Sequence, residues 1–165
     1  MTSSPIQIRR ATDADWPQLW ALMRDVFAGG DTYTLTEDAT EADALAHWRG
    51  DGMTAFVAVD GEVVVGSYTL RRNQRGRGAH VANAGFMVHR DYAGRGIGTA
   101  LGQHALDTAR AAGYAAMQFN FVVSTNTRAV ELWKRLGFSI VGTVPGAFMH
   151  RERGAVAVHI MHRTL

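Results

Sequence analysis

Phe86-Met87-Val88-His89-Arg90-Asp91-Tyr92-Ala93-Gly94-Arg95-Gly96-Ile97-Gly98-Thr99-Ala100-Leu101 decides how the rest of the chain is read. An apolar strand enters a short loop carrying Gly94, Gly96 and Gly98, and a helical pattern begins at once. Glycines there let the main chain approach a ligand closely. The first turn of the helix offers unpaired N–H groups to an anion. The combination suits a pyrophosphate.

Two familiar versions of such a turn are excluded. A dinucleotide fingerprint needs an acidic ribose ligand about 20 residues further on. The next strand, Met117-Gln118-Phe119-Asn120-Phe121, ends without one. A nucleotide-binding P-loop needs Gly-Lys-Ser/Thr, which is absent. A tight strand-to-helix turn with no ligand is the plain structural reading.

Asn126-Thr127-Arg128-Ala129-Val130-Glu131-Leu132-Trp133-Lys134-Arg135-Leu136-Gly137-Phe138 is a second signature. Thr125 or Asn126 can cap a short helix whose Ala129, Leu132, Trp133 and Leu136 share one face. Gly137 is expected to end it in the left-handed conformation, with Phe138 folding back on Leu132 or Trp133. The glycine turn followed by this helix resembles the GNAT superfamily of N-acetyltransferases, and the resemblance covers nearly the whole chain. It implies one α/β (α+β) domain over residues 1–165, with a mixed, mostly antiparallel, splayed sheet and helices on both faces.

Composition fits that size. A chain of 165 residues makes one domain and buries about two-thirds of its unfolded surface. Without cysteine there is no disulfide framework, thiolate zinc site or cysteine nucleophile, and no metal is expected. Met1-Thr2-Ser3-Ser4-Pro5 lacks a signal peptide's apolar core, and no run reaches membrane-spanning length. The expectation is a cytoplasmic protein with no membrane partner. A net charge of +2 is too small to argue for nucleic acid.

The elements follow from local pattern. Ile6 to Arg10 alternates as a first strand, and Thr12 to Pro17 opens a helix running to about Phe27. Gly29-Gly30-Asp31-Thr32-Tyr33 breaks it, and Glu41 to Trp48 reads as a second helix. Asp60-Gly61 is a hairpin turn between strands Thr54–Val59 and Glu62–Leu70. Further strands are expected at Ala79–Val88, Met117–Val122, Ser139–Val144 and Val156–His162, with a helix Gly96–Ala112 packing through Ile97, Leu101, Ala105 and Ala109. Gly85, isolated in its strand, marks a bulge or a close backbone approach.

The resemblance assigns roles to these positions. A bulge at Gly85 would splay two strands, and acetyl-CoA would lie in the cleft as acyl donor. Its pantetheine would pair with backbone around Met87 and Val88, and its pyrophosphate would meet the amides of Gly94, Arg95, Gly96, Ile97, Gly98 and Thr99. Ala93 stands where the family usually has Gln or Arg, which removes a side-chain contact and leaves the backbone donors. Arg95 is either a phosphate ligand or a solvent-facing charge. Many members carry Tyr where Trp133 stands, beside the cofactor. Indole N–H can donate a hydrogen bond but is no general acid at neutral pH. A thiolate with pKa near ~8.5 can leave without one, so Trp133 reads mainly as packing.

Freeing the amine is the harder step. An ammonium of pKa ~10.4 lies about 3.4 units from neutrality at pH 7, which costs roughly 4.6 kcal/mol unless the site helps. No acid or imidazole stands out. His80, ahead of the bulge on the glycine strand, and His150, in an expected long loop before the last strand, read as solvated or structural. A water-relayed proton path is the expectation.

Three amides draw more attention. Asn83, Asn120 and Asn126 lie on or beside the two strands that would splay, near the reacting thioester. An amide in an apolar strand costs energy unless paired. Each either holds substrate or the developing oxyanion, or is satisfied internally; Asn126 reads first as the cap of its helix, a role that can coexist with the cofactor contact the resemblance implies. Gln118 to Asn126, Leu132-Trp133 and Val144-Pro145-Gly146-Ala147-Phe148 are similar to the L-azetidine-2-carboxylate N-acetyltransferase branch, which acetylates proline-like cyclic amino acids. That likeness implies Asn83 and Asn120 as catalytic and substrate-binding residues, with Thr32 and Tyr33 in the acceptor wall that runs from Thr32 to Thr36.

The expected activity is transfer of acetyl from acetyl-CoA to a small-molecule amine. The alternatives are a protein amino group, a primary-amine metabolite or drug, or a non-catalytic acyl-CoA sensor. Arg71-Arg72-Asn73-Gln74-Arg75-Gly76-Arg77-Gly78 reads as a basic loop meeting the cofactor's 3′-phosphate, an acidic partner or water. The alternation of Val156, Val158 and Ile160 suits either an exposed strand pairing two copies into a homodimer or an ordinary buried one.

Overall fold

A computed structural model describes residues 5–165; residues 1–4, where the expected absence of a leader begins, lie outside the described residues. The elements in chain order are β1 (Gln7–Arg10), α1 (Trp16–Gly29), α2 (Glu41–Arg49), β2 (Thr54–Asp60), β3 (Val63–Arg72), β4 (Val81–Val88), α3 (Ile97–Ala111), β5 (Ala116–Val123), α4 (Thr127–Arg135), β6 (Ser139–His150) and β7 (Gly154–Thr164).

Seven strands form one sheet in the order β1-β2-β3-β4-β5-β7-β6. Every neighbouring pair is antiparallel except β4 and β5. Those two run parallel and pair only through Val81↔Ala116 and Ala82↔Met117 before they part.

Alternation along the strands places a core on each face. Ala55 and Met87 pack with Leu22, Met23, Phe27 and Trp48 beneath α1 and α2. Phe56, Ala58 and Ala84 pack with Ile97, Leu101, Ala105 and Ala109 of α3, the stripe expected from the sequence. Thr40 caps α2 in a reciprocal box with Asp43. The indole N–H of Trp48 donates to Ser67 Oγ at 2.8 Å, and that hydroxyl donates to the Phe56 carbonyl at 2.6 Å, fixing the last turn of α2 on β3.

Three expectations are corrected. Gly85 is not a bulge: β3 and β4 pair in unbroken register from Gly66↔Val88 to Arg71↔Asn83. Nor is the close approach one of backbone: side chains come near instead, since a Cβ there would stand 3.3 Å from Tyr33 Oη and 3.6 Å from the Trp48 ring. The irregularity sits across the seam, in β5 between Phe119 and Val122. Second, β6 does not stop at Val144 but runs to His150, absorbing Pro145 and Gly146 (φ 61°) in a register shift between Val144 and Phe148. His150 therefore ends a strand and does not lie in a long loop. Third, of the two readings left open for the last strand the exposed one is dropped: β7 is internal, and the edge strand beside it is β6.

Candidate active site

The parting of β4 from β5 leaves main-chain groups without partners. His89 N–H donates to the Val65 carbonyl at 2.9 Å, and Asn73 N–H to the Val81 carbonyl at 2.7 Å, at the two ends of the β3–β4 ladder. Hydrogen-bonded pairs alternate in an antiparallel ladder. Asn83, Gly85 and Met87 therefore exchange bonds with β3, while the N–H and C=O groups of Phe86 and Val88 point toward the departed β5. Met87 lines the opening, but its backbone is engaged and its side chain is buried among core residues of α1 and α2. The groups free for a ligand belong to Phe86 and Val88.

The opening is a cleft of about 850 Å³. Its glycine end is formed by Ala93, Gly94 and Gly96 to Thr99. Gly94 and Gly96 both have φ 79°, a conformation costly for other residues, and α3 starts directly after Gly96. α4 brings a second helix start to the same place. Asn126 Oδ1 accepts from Ala129 N–H at 3.3 Å, so the expected cap is present, and Asn126 also lines the cleft. Arg128, in the first turn of α4, sends its guanidinium to within 3.3 Å of where a Gly94 Cβ would stand. The cation beside the loop is thus Arg128. Arg95 does not line the cleft; its guanidinium lies 4.7 Å from the Tyr92 ring centroid.

Aromatic rings line the middle. Trp133 is buried, 4.7 Å from Phe86 and 4.8 Å from Phe119 (centroid distances), and so packs against both sides of the seam. α4 ends as expected: Gly137 has φ 86°, and Phe138 N–H donates to the Trp133 carbonyl at 3.0 Å.

The far end is polar. Thr32, Tyr33 and Thr34 wall it, whereas Leu35 joins the core and Thr36 bonds Asp38, so the expected wall is shorter than Thr32 to Thr36. The Tyr33 hydroxyl donates to the Phe86 carbonyl at 2.8 Å, occupying one of the orphaned acceptors of β4. Burial pushes its pKa upward against that hydrogen bond, so it remains a neutral donor. Asn83 Nδ2 donates to the Gln118 carbonyl at 2.9 Å, one step beyond the last ladder pair, bridging strands that have begun to separate. Asn120 is exposed; its Nδ2 donates to Asn73 Oδ1 at 2.7 Å and its Oδ1 accepts from Gln118 at 3.0 Å. The two asparagines thus meet at the cleft, each already hydrogen-bonded within the chain. Asn126 lies toward the glycine end.

His47, Thr69 and Arg71 complete this end and carried no role in the sequence reading. His47 sits in the last turn of α2, its ring edge-on to Tyr33 at 5.8 Å. Burial lowers its pKa, and the Arg71 charge adds to the effect. His80 is exposed, and neither it nor His150 lines this cleft. Arg128 was legible as the second residue of a helix aimed at the glycine loop. His47 and Arg71 lie far apart in sequence, and no local pattern joins them.

The charges lining the cleft are of one sign. Arg71, Arg128 and Arg135 contribute cations, and among the described residues no Asp or Glu lines it. No helix is long and apolar enough to cross a membrane, and no group of three His, Cys, Asp or Glu suited to a metal occurs among the described residues.

Comparison with known proteins agrees with this geometry. The sequence profile described as "Acetyltransferase (GNAT) family" matches residues 16–138. A GNAT-type N-acetyltransferase structure from Kribbella flavida superposes with a TM-score of 0.92 at 45% identity, covering 98% of this chain and 100% of that one. A GNAT superfamily phosphinothricin acetyltransferase from Sinorhizobium meliloti, solved in complex with AcCoA, shares the fold with a TM-score of 0.84 at 22% identity, covering 98% of this chain and 89% of that one. The N-acetyltransferase aca1 of Schizosaccharomyces pombe is 33% identical over 84 residues, which is 51% of this chain and only 40% of that protein's length.

Proposed function

The chain belongs to the acetyltransferase (GNAT) family, and from that premise we propose that it transfers acetyl from acetyl-CoA to the amine of a small molecule, favouring a compact, proline-like cyclic amino acid. The observation that carries the reading is the open β4–β5 seam, with anion-binding loops at one end and a polar pocket at the other. Acetyl-CoA supplies an activated acyl group as its thioester.

The residues present fit that donor. Free N–H groups follow Gly96, where α3 begins, and Arg128 adds a cation beside them, so a pyrophosphate would meet Gly94 and Gly96 to Thr99. The extended edge of Phe86 and Val88 offers main-chain pairing to an amide-containing arm. Val88 N–H is directed into the seam and suits the carbonyl oxygen as charge develops on it. Trp133 gives the thioester an apolar wall, and Asn126 caps the helix that carries it.

Acceptor class follows from charge and size. A cleft lined by arginines and by no carboxylate disfavours polyamines and lysine-rich protein tails. It suits an acceptor bearing its own anion. Asn83 and Asn120, held at the pocket, would shape the contact with a small amino acid. The similarity to the azetidine-carboxylate branch narrows that to a cyclic secondary amine.

Thiol release from acetyl-CoA tests the reading with L-azetidine-2-carboxylate, L-proline analogues, primary amino acids and polyamines. Preferential turnover of the cyclic amino acids is expected. Turnover of polyamines alone would overturn the acceptor assignment, and acetyl-CoA binding with no turnover across a broad panel would overturn the enzymatic one.

A further inference from the structure

Three side chains at the acceptor end lack an assignment in the reading above. Arg71 follows Thr69 on the same face of β3, and His47 approaches that face from α2. The Arg71 guanidinium makes a single hydrogen bond among the described residues, a long 3.4 Å one from Nε to Asn83 Oδ1, and no salt bridge to a carboxylate. Thr69 is 6% exposed, and its hydroxyl has no hydrogen-bond partner although the residue lines the cleft. A buried, unpartnered hydroxyl beside an unpaired cation is what a site for a polar anionic group requires. No hydrogen bond holds either ring nitrogen of His47 among the described residues, yet the ring is fixed by Tyr33 and by Trp48, itself tied to Ser67.

The geometry points to a zwitterion subsite: Arg71 takes the acceptor's carboxylate, the Thr69 hydroxyl donates beside it, and His47 receives the proton that the ammonium must lose. The inference rests on the proposed acetyl transfer and assigns its acceptor subsite. The first ammonium proton passes to a ring nitrogen of His47 and on to solvent, freeing the lone pair. As the N–C bond to the acetyl carbon forms and the C–S bond breaks, the second nitrogen proton leaves through His47, and the departing thiolate takes up one proton, so that one proton is released overall.

The surroundings of His47 suit a proton acceptor. From β3 it faces Arg71, and from the α1–α2 connection it faces Tyr33, a neutral donor already bonded to Phe86. The charged groups of its own helix are engaged elsewhere: Asp43 with Thr40, Arg49 with Asp13 and Glu41 with Trp16. Burial first, and then the Arg71 charge, lower the His47 pKa and so favour the neutral ring that can accept a proton.

The test pairs each amino acid with its own carboxamide, beginning with L-proline and L-prolinamide, in wild type, R71Q and H47Q between pH 6 and 9. Wild type should favour the acids. R71Q should raise KM for L-proline roughly 10- to 100-fold, as for loss of a charge-assisted contact, and leave KM for L-prolinamide unchanged. With His47 as base, kcat/KM for L-proline should reach a plateau near neutrality. In H47Q only the neutral amine can react, so kcat/KM should fall by roughly 100-fold at pH 7 and rise about tenfold per pH unit. A structural role for His47 would lower activity without converting the plateau into that slope. Equal use of acids and amides with no effect of R71Q, or a wild-type profile that already rises without a plateau, overturns the subsite while acetyl transfer stands. No thiol release with any acid or amide overturns the acetyl-transfer reading as well.

Discussion

Asn83→Ala separates a structural amide from one that acts on substrate. Asn83 Nδ2 reaches the Gln118 carbonyl at 2.9 Å, across the strands immediately after their last backbone pair. Its removal deletes this half-buried hydrogen bond, which leaves a carbonyl less well satisfied, together with the long, exposed one from Arg71 Nε; the first dominates, a loss of about 1–2 kcal/mol. For a chain of this size each kcal/mol moves Tm by about 2–4 °C, so a fall of about 2–8 °C is expected. Asn120→Ala is the internal control. Its amide is exposed, its partners Asn73 and Gln118 are polar side chains, and its loss should cost under about 0.5 kcal/mol. Thermal unfolding of both variants, with thiol release measured on the same samples, decides the matter. An Asn83→Ala protein with unchanged Tm and lost turnover would refute the bridging role.

Other outcomes follow from single contacts. Gly96→Ala places a Cβ in open space at φ 79°, so its penalty is purely conformational, about 1–2 kcal/mol; it should lower Tm and raise KM for acetyl-CoA about tenfold in initial-rate assays. Asn126→Ala removes the cap of α4 and should cost about 1 kcal/mol in urea titration, with weaker acetyl-CoA binding by calorimetry. Asp15 is held well below the usual carboxylate range, first by its hydrogen bonds from Arg9. Its contribution is therefore complete above the unfolded pKa of ~3.9 and lost as pH falls below it. The stability gap between wild type and Asp15→Asn should be constant near neutrality and begin to narrow on acidification below the unfolded pKa, in urea titrations run down to about pH 3.

The elements were legible where pattern is local. The α3 stripe, the Asp60-Gly61 hairpin and the Gly137 helix end each depend on residues within one turn or two of one another, and all appear as expected. The extension of β6 was hidden because Pro145 and Gly146 look like a stop. They are tolerated because a register shift removes them from the ladder with β7. The bulge expected at Gly85 failed for a related reason: a strand glycine signals space, and the group filling it, Tyr33, comes from over 50 residues upstream by a contact invisible to periodicity. At the site, the glycine loop and the Asn126 cap were readable from adjacent residues. His47, Thr69 and Arg71 were not, since two helices and the β3–β4 pairing must form before they share a wall.

The position of β7 has a consequence for synthesis. The last strand made lies between β5 and β6, giving each of them a neighbour. Until residues 154–164 leave the ribosome, β6 has nothing to pair with and β5 holds the growing sheet by two residue pairs to β4. A nascent chain halted before β7 would leave β6 without its backbone ladder, on a strand whose Ile140, Val141 and Val144 are exposed even in the finished fold, a template for association with other chains. Closure of the sheet thus waits for residues 154–164, and the interval before they emerge is where a chaperone matters most to this fold.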